Sequence, residues 1–360
     1  MLVAKRRRIK RRDSLFRLGY SEGRRLGGCQ AMVERTPVYP QMIDCRVLFI
    51  PQGFQAIDGG VAEALQRCTK ECLIGTPETM LETAAAFRPD FMLVMNGLHV
   101  FPPDHFEQVQ NVRALGIRTG IWFADDPYFT EETSVIALQY DVVFTHELSC
   151  VPFYRSLGAE HVHYMPLGVD EQIFRPRRVD FQYDVCFIGS GFWNRVELFD
   201  QLAPFLADKK VMIAGGHWNR LKRTDLLGKF IRDGWMEPTE TVNYYNASKI
   251  VINLHRPSEM GMDNKNTYRQ SAMSINPRTY EISACGTLQL TDIRDDLGNH
   301  YRPGYDLETF ENADELKAKI NYYLKHSMQR EHIAWRGVHT TRQNHTFTSR
   351  IPKLLNFALS

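Results

Sequence analysis

The stretch Asn276-Pro-Arg-Thr-Tyr-Glu281 carries the strongest chemical signal in this 360-residue chain. Pro277 suits the first turn of a helix and Asn276 suits its N-cap. Arg278 then falls in that first turn, where a cation opposes the helix dipole. A nearby anionic ligand would account for the placement. Glu281, three residues on, shares the same helix face. A cation for phosphates beside a carboxylate for sugar hydroxyls suits a nucleotide-sugar. A surface Arg–Glu pair explains the same residues equally well.

A second signal is Gly189-Ser190-Gly191, between an apolar run and a helical stretch. Glycines let backbone approach a phosphate, the following helix offers free N–H groups, and Arg195 adds a charge-assisted contact. Asn194 stands where a third glycine would complete a dinucleotide fingerprint, and no Lys-Ser/Thr pair follows as in a P-loop. An ordinary βα turn is the alternative. Asp125 and Asp126 follow a predicted strand, where a carboxylate can orient or deprotonate an acceptor hydroxyl. Pro127 makes a structural turn role equally plausible. His146 and Glu147 end the next strand, with His146 either a buried packing residue or an acceptor-side group. His255 and Arg256 end another and are candidate donor-binding residues, as is Asn276, with Arg256 and Lys265 assisting at the phosphates. No metal-ligand spacing such as HExxH occurs, nor a Gly-x-Ser-x-Gly nucleophile elbow.

These residues need strand ends to hold them. Apolar runs at 46–51, 91–95, 119–123, 141–145 and 161–165 alternate with helical stretches at 61–72, 76–87, 103–115 and 150–157. The pattern restarts with strands at 183–188, 210–214, 250–254 and 287–290, and with helices at 194–206, 242–247, 277–284, 313–325 and 328–344. Alternation of this kind predicts an α/β fold: two Rossmann-like domains with parallel sheets, split near 166–178 and facing a cleft. Ligands in such sheets bind at the carboxyl ends of the strands. That is where the candidate residues fall.

Hydrophobic residues make up 43% and charged residues 24% of the chain, which excludes a fibrous or generally disordered protein. No apolar run approaches the roughly 20 residues of a membrane helix. The net charge of +2 hides an asymmetry. Residues 1–25 hold ten Lys/Arg and two acids, a local charge of +8, on a body of −6. This predicts a basic, solvated helical leader without the apolar core of a signal peptide, and no specific nucleic-acid partner for the body. The seven cysteines are scattered without a CxxC pair and read as buried thiols in a reducing, cytoplasmic setting. Cys68 and Cys72 are expected one helical turn apart.

The run Arg278-Thr-Tyr-Glu-Ile-Ser-Ala-Cys-Gly-Thr-Leu-Gln-Leu-Thr-Asp292 resembles the donor-site helix of group 1 glycosyltransferases, most of all the spore-maturation CgeB/YkvP-type branch. Trp122–Pro127, Tyr164–Asp170, Asp184–Ser190, Ile252–His255, Tyr301–Gly304 and Gly19–Gly23 resemble it too, in order and spacing. The resemblance implies a GT-B fold: a basic helical leader (1–40), an acceptor domain (41–170), a donor-binding domain (171–330) and a C-terminal helix crossing back (331–360). It implies metal-independent glycosyl transfer from a nucleotide-diphosphate sugar to a glycan, protein or small-molecule acceptor, with no other cofactor. The location would be the cytoplasm, free or peripheral to a membrane or the forming spore. Glu281 matches the carboxylate that holds the donor ribose, and Arg278 would face the diphosphate. Gly189–Gly191 matches the glycine loop opening the donor domain. Many group 1 enzymes carry a further Glu eight positions before Glu281, and here that position is Met273.

Overall fold

The computed structural model describes residues 2–259, 261 and 263–360, with side chains described from Phe16 onward except for 17 and 18. A long helix, α1 (Leu2–Arg35), opens the chain. The first domain follows: β1 (Ile43–Ile50), α2 (Gln55–Cys68), β2 (Thr69–Ile74), α3 (Met80–Phe87), β3 (Phe91–Met95), α4 (His105–Ala114), β4 (Arg118–Phe123), α5 (Thr130–Ile136), β5 (Val142–Thr145), α6 (Cys150–Ser156) and β6 (Val162–Tyr164). The second comprises β7 (Tyr183–Ile188), α7 (Trp193–Leu206), β8 (Val211–Gly215), α8 (Thr224–Leu227), β9 (Ile231–Asp233), α9 (Pro238–Asn246), β10 (Ser248–Asn253), α10 (Pro277–Ala284), β11 (Leu288–Asp292), α11 (Leu297–His300) and β12 (Glu308–Phe310). Three helices close the described chain: α12 (Ala313–Lys325), α13 (Ser327–Asn344) and α14 (Phe347–Leu359).

Each domain holds one parallel six-stranded sheet, in the orders β2-β1-β3-β4-β5-β6 and β12-β11-β10-β7-β8-β9. Central strands such as β3 are buried on both faces, as the unbroken Phe91-Met-Leu-Val-Met95 run requires. Apolar helix faces cover both sides of each sheet. In the second sheet the strand order reverses between β7 and β10, which opens a crevice at their carboxyl ends.

Three strands escaped the sequence reading, and all three are sheet edges: β2, β9 and β12. The expected helix 61–72 stops at Cys68, and Cys72 lies in β2, so the two thiols do not share a helical turn. The element returning to the first domain is α14, which starts at 347 rather than 331; Phe347, Ile351, Leu354 and Leu355 join the core of β1, β3 and β4. α13 stays on the second domain, against α10 and β11.

The leader is not simply a solvated helix. Its second half packs on α13: Arg24 pairs with Glu331 at 2.8 Å, and the Cys29 side chain is buried against Gly286. Gly28 lies so close to Trp335 that a Cβ there would meet the indole at 2.1 Å. The solvation expected for the basic stretch 5–12 concerns side chains outside the described residues. Deleting residues 1–20 should leave the melting temperature within a few degrees. Deletion through residue 35 removes the packing of Cys29 and Gly28 on Gly286 and Trp335 together with the Arg24–Glu331 pair, and should lower the melting temperature well beyond that. Equal melting temperatures for the two truncations in calorimetry would contradict this docking.

Candidate functional site

A cavity of about 420 Å³ lies between the carboxyl ends of the two sheets. On the second domain it is bordered by the Gly189 turn, Gly215, Arg256, Asn276, Arg278 and Glu281. On the first it is bordered by Gln52, Asp125 and His146. A larger, more open depression of about 750 Å³ sits at the amino ends of β4–β6, near Arg113, Arg118 and His161, and none of the motif residues reach it.

α10 begins as its sequence demands. The Asn276 side chain accepts from the Thr279 N–H at 3.1 Å, and Pro277 takes the first turn. Arg278 reaches back from that turn to the Ile188 carbonyl, donating through Nη1 at 3.0 Å. A Cβ on Gly189 would sit 2.1 Å from the same nitrogen, so the bare backbone there is what lets Arg278 reach this carbonyl. The turn is also held from behind, where Trp218 Nε1 donates to the Gly189 carbonyl at 3.0 Å. Gly215 has a φ of +132°, and a Cβ on it would lie 2.3 Å from the Gly189 oxygen. The glycines therefore serve close backbone packing around the turn.

Arg195 departs from the role expected of it. It is 1% exposed and donates to the Leu254 and Ser190 carbonyls at 3.0 and 2.9 Å, so it braces the turn from inside. Its Nη2 has no partner among the described residues. Arg256 lies over the Tyr128 and Phe192 rings. Among the described residues, Arg195, Arg256 and Arg278 form no salt bridge. Three guanidinium groups thus gather at one end of the cavity without an ion-pair partner, which is the arrangement an anionic ligand completes. Glu281 sits beside them, 8% exposed. Burial pushes its carboxyl up to about 7, against the pull of Arg278.

His255 is a correction. It is fully buried, its Nδ1 lies 2.6 Å from Asp292, and its Nε2 accepts the Asn276 N–H at 3.0 Å. It therefore holds the start of α10 and does not face the ligand space. Lys265 is another: it pairs with Glu132 outside the cavity.

The two aspartates separate sharply. Asp126 is fully buried and accepts hydroxyl bonds from Thr145 at 2.6 Å, Tyr154 at 2.7 Å and Thr133 at 3.3 Å. Burial raises its carboxyl to about 6, and the hydroxyls oppose the shift. It is a structural acceptor and not a cleft residue. Asp125 borders the cavity. Its Oδ2 accepts from Asn96 at 2.7 Å, with His99 Nε2 3.9 Å away. Burial would raise its pKa, but His99, Asn96 and the charge of Arg256 outweigh it and hold the carboxyl below its ordinary value. His146 is 5% exposed, with both ring nitrogens unpartnered among the described residues. Burial lowers its pKa to about 4, so the ring is neutral near pH 7.

Asn96 was not among the candidate site residues. Its Oδ1 accepts the Ala124 and Asp125 N–H groups at 3.0 and 3.2 Å, so it shapes the Asp125 site. Gln52, at the end of β1, also borders the cavity without having been singled out as a site residue. Among the described residues no three His, Cys, Asp or Glu side chains gather as a metal site.

Residues 195–356 match the family described as glycosyl transferase-like. The chain is also 28% identical over 334 residues to the spore protein CgeB of Bacillus subtilis (strain 168), covering 88% of this chain and 100% of CgeB. Its second half is thus similar to glycosyl transferases, and most of its length is similar to CgeB. The architecture is that of GT-B proteins. Anabaena Alr3699/HepE in complex with UDP and glucose superposes with a TM-score of 0.58 at 11% identity, covering 87% of this chain and 99% of that one. A Listeria monocytogenes chain assigned as a UDP-N-acetylglucosamine 2-epimerase superposes at 0.53 and 11% identity, covering 87% and 96%. The frame is therefore shared by more than one chemistry, and the site residues must separate them.

Proposed function

We propose that the protein transfers a glycosyl unit from a nucleoside-diphosphate sugar to an acceptor in the cleft. The observation that carries this reading is the pair of guanidinium groups without an ion-pair partner, Arg256 and Arg278, that border the cavity beside the Glu281 carboxylate. In this reading Arg278, through its guanidinium and its backbone N–H, and Arg256 hold the diphosphate. Ser190, between the two turn glycines, stands beside it. Glu281 accepts the ribose hydroxyls. Charge develops on the diphosphate as the glycosidic bond breaks, and donors already fixed by the fold stabilise it. Asp125, ionised, orients the acceptor hydroxyl or takes its proton, and neutral His146 hydrogen-bonds the sugar. No metal takes part. The unpaired thiols suit a reducing cytoplasm, whether the protein is free or peripheral to a membrane or the forming spore. Met273, where many group 1 enzymes carry a carboxylate, favours a second reading: a protein that binds the donor without transferring it.

The test is a melting-temperature screen with nucleoside diphosphates, nucleotide sugars and NAD, followed by product analysis of the best donor with and without EDTA. A ligand at 100 times its Kd should stabilise by about 2.7 kcal/mol. Nucleoside diphosphates should stabilise and NAD should not. Stabilisation by none of the diphosphates would overturn the reading, and binding with no turnover for any acceptor would select the second one.

Acid–base behaviour supplies a further check. The ionised form of Glu281 accepts ribose hydroxyls. Its folded-state pKa of about 7 lies above the ordinary 4.5, so protons are bound up to neutrality and ionisation costs stability as pH rises through that window. Nucleoside-diphosphate affinity should therefore rise between about pH 6 and 8. Glu281→Gln should flatten that rise in calorimetric titrations. An unchanged pH slope in the variant would remove Glu281 from the site.

A further inference from the structure

Glu147 follows His146 but turns out of the cavity and into the seam between the domains. It is 1% exposed. Its Oε1 accepts the Met273 N–H at 3.1 Å and its Oε2 accepts the Ser274 N–H at 3.1 Å, both from the second domain. The Ser149 N–H, from its own loop, completes the set at 3.1 Å. The neighbouring backbone joins in: the Leu148 N–H donates to Ser274 Oγ at 2.9 Å, and Ser149 Oγ donates to the Ser271 carbonyl at 2.6 Å.

The segment that Glu147 grips belongs to the long connection from β10 to α10, residues 254–276. Loops of that length without regular structure are uncommon unless they have work to do. Asn276 lies two residues beyond Ser274 and caps α10, which its own bonds to Thr279 and His255 hold within the second domain. On the other side of the seam, His146 is covalently next to Glu147. One buried carboxylate thus ties a first-domain cavity residue to the start of the second-domain helix. A buried carboxylate needs its hydrogen-bond donors. Opening the seam at 273–274 exchanges two fixed N–H donors for water, and breaks the Leu148–Ser274 and Ser149–Ser271 bonds with them, so separation of the domains there is opposed.

We propose that Glu147 is a cross-domain clasp, a positioning residue whose grip on the Met273 and Ser274 N–H groups sets the width of the cleft, and with it the distance of His146 from the second-domain site. Its effect on transfer rests on the function proposed above; its effect on domain spacing does not. The nucleotide-holding groups lie on the second domain alone, so the clasp acts on the meeting of the two halves and not on nucleotide affinity.

Spin labels on Glu107→Cys and Lys229→Cys, one in each domain and in a Cys72→Ser background, report the spacing without any ligand. Glu147→Ala should broaden and lengthen the distance distribution, and Glu147→Gln, which keeps one acceptor oxygen, should do so less. UDP affinity should stay within about twofold in both variants, while transfer falls by about 10–100-fold, the scale of a small misplacement of reacting groups. An unchanged distance distribution in Glu147→Ala overturns the clasp. If that variant does not fold, Glu147→Gln decides by the same readout. If the spacing loosens and the wild-type protein transfers nothing, the clasp stands and the transferase reading fails. A loss of UDP affinity matching the loss of turnover would show a general disruption and overturn the positioning role.

Discussion

Asp125→Asn should lower transfer by about 10²–10⁴-fold while leaving melting temperature and nucleotide affinity unchanged. Asp126→Ala should do the reverse, costing about 2–4 kcal/mol of stability while the folded fraction keeps its turnover. The two residues are adjacent in sequence and opposite in environment. Asp125 meets the cavity with its carboxyl held below its ordinary pKa, so it is ionised at neutral pH. Removing its charge leaves Asn96 and the surrounding backbone in place. Asp126 gathers three hydroxyls inside the first domain, and truncation leaves a void among Thr133, Thr145 and Tyr154. Turnover, calorimetric titration and melting on both variants decide the matter. Full turnover in Asp125→Asn would remove it from the mechanism, and comparable destabilisation by both variants would deny the division of roles.

Arg278→Ala should weaken nucleoside-diphosphate binding by about 1.5–3 kcal/mol, the range for a hydrogen bond to a charged group. Gly189→Ala should approach the same loss without touching the arginine itself. The new Cβ would stand 2.1 Å from Arg278 Nη1, and the flexible tip of that side chain gives way more readily than backbone does. The fold survives and the cation is displaced. Gly215→Ala is different in kind: its Cβ meets the Gly189 carbonyl oxygen at 2.3 Å from a left-handed backbone conformation, and neither side can yield. It should lower stability first. Titration with UDP alongside thermal melting tests all three. Wild-type affinity in Arg278→Ala, with the fold intact, would refute its assignment to the diphosphate.

The parts of the fold that were legible from sequence are those where burial dictates composition. β3 and β4 are buried on almost every position, so apolar runs announce them. β2 reads Thr-Lys-Glu-Cys-Leu-Ile with only Thr69 buried, and β9 and β12 are three residues each. An edge strand pairs on one side only, and its ladder of backbone hydrogen bonds leaves little trace in side-chain type. The site divides in the same way. Arg278 drew notice because a first-turn cation opposes the helix dipole, and Glu281 because it shares that helix face. Arg195, His255 and Asp126 have side chains as suggestive as theirs. Their structural roles depend on partners far along the chain, such as Leu254 for Arg195 and Asp292 for His255. Glu147 is the clearest case, since its partners lie more than 120 residues away.

The seating of α14 on the first domain has a consequence for synthesis. Residues 43–164 leave the ribosome as a nearly complete sheet, yet one face of that sheet is finished only by Phe347, Ile351, Leu354 and Leu355. The emerging first half must therefore carry an uncovered apolar surface while nearly two hundred further residues are made. Loop closure over such a span is slow, and exposed surface of this kind is what chaperones bind. The second domain is spared that wait, because the helices that cover it late, α12 and α13, are its own neighbours in sequence. Maturation would then run backwards relative to translation, with the later half closing first and its trailing helix completing the earlier one.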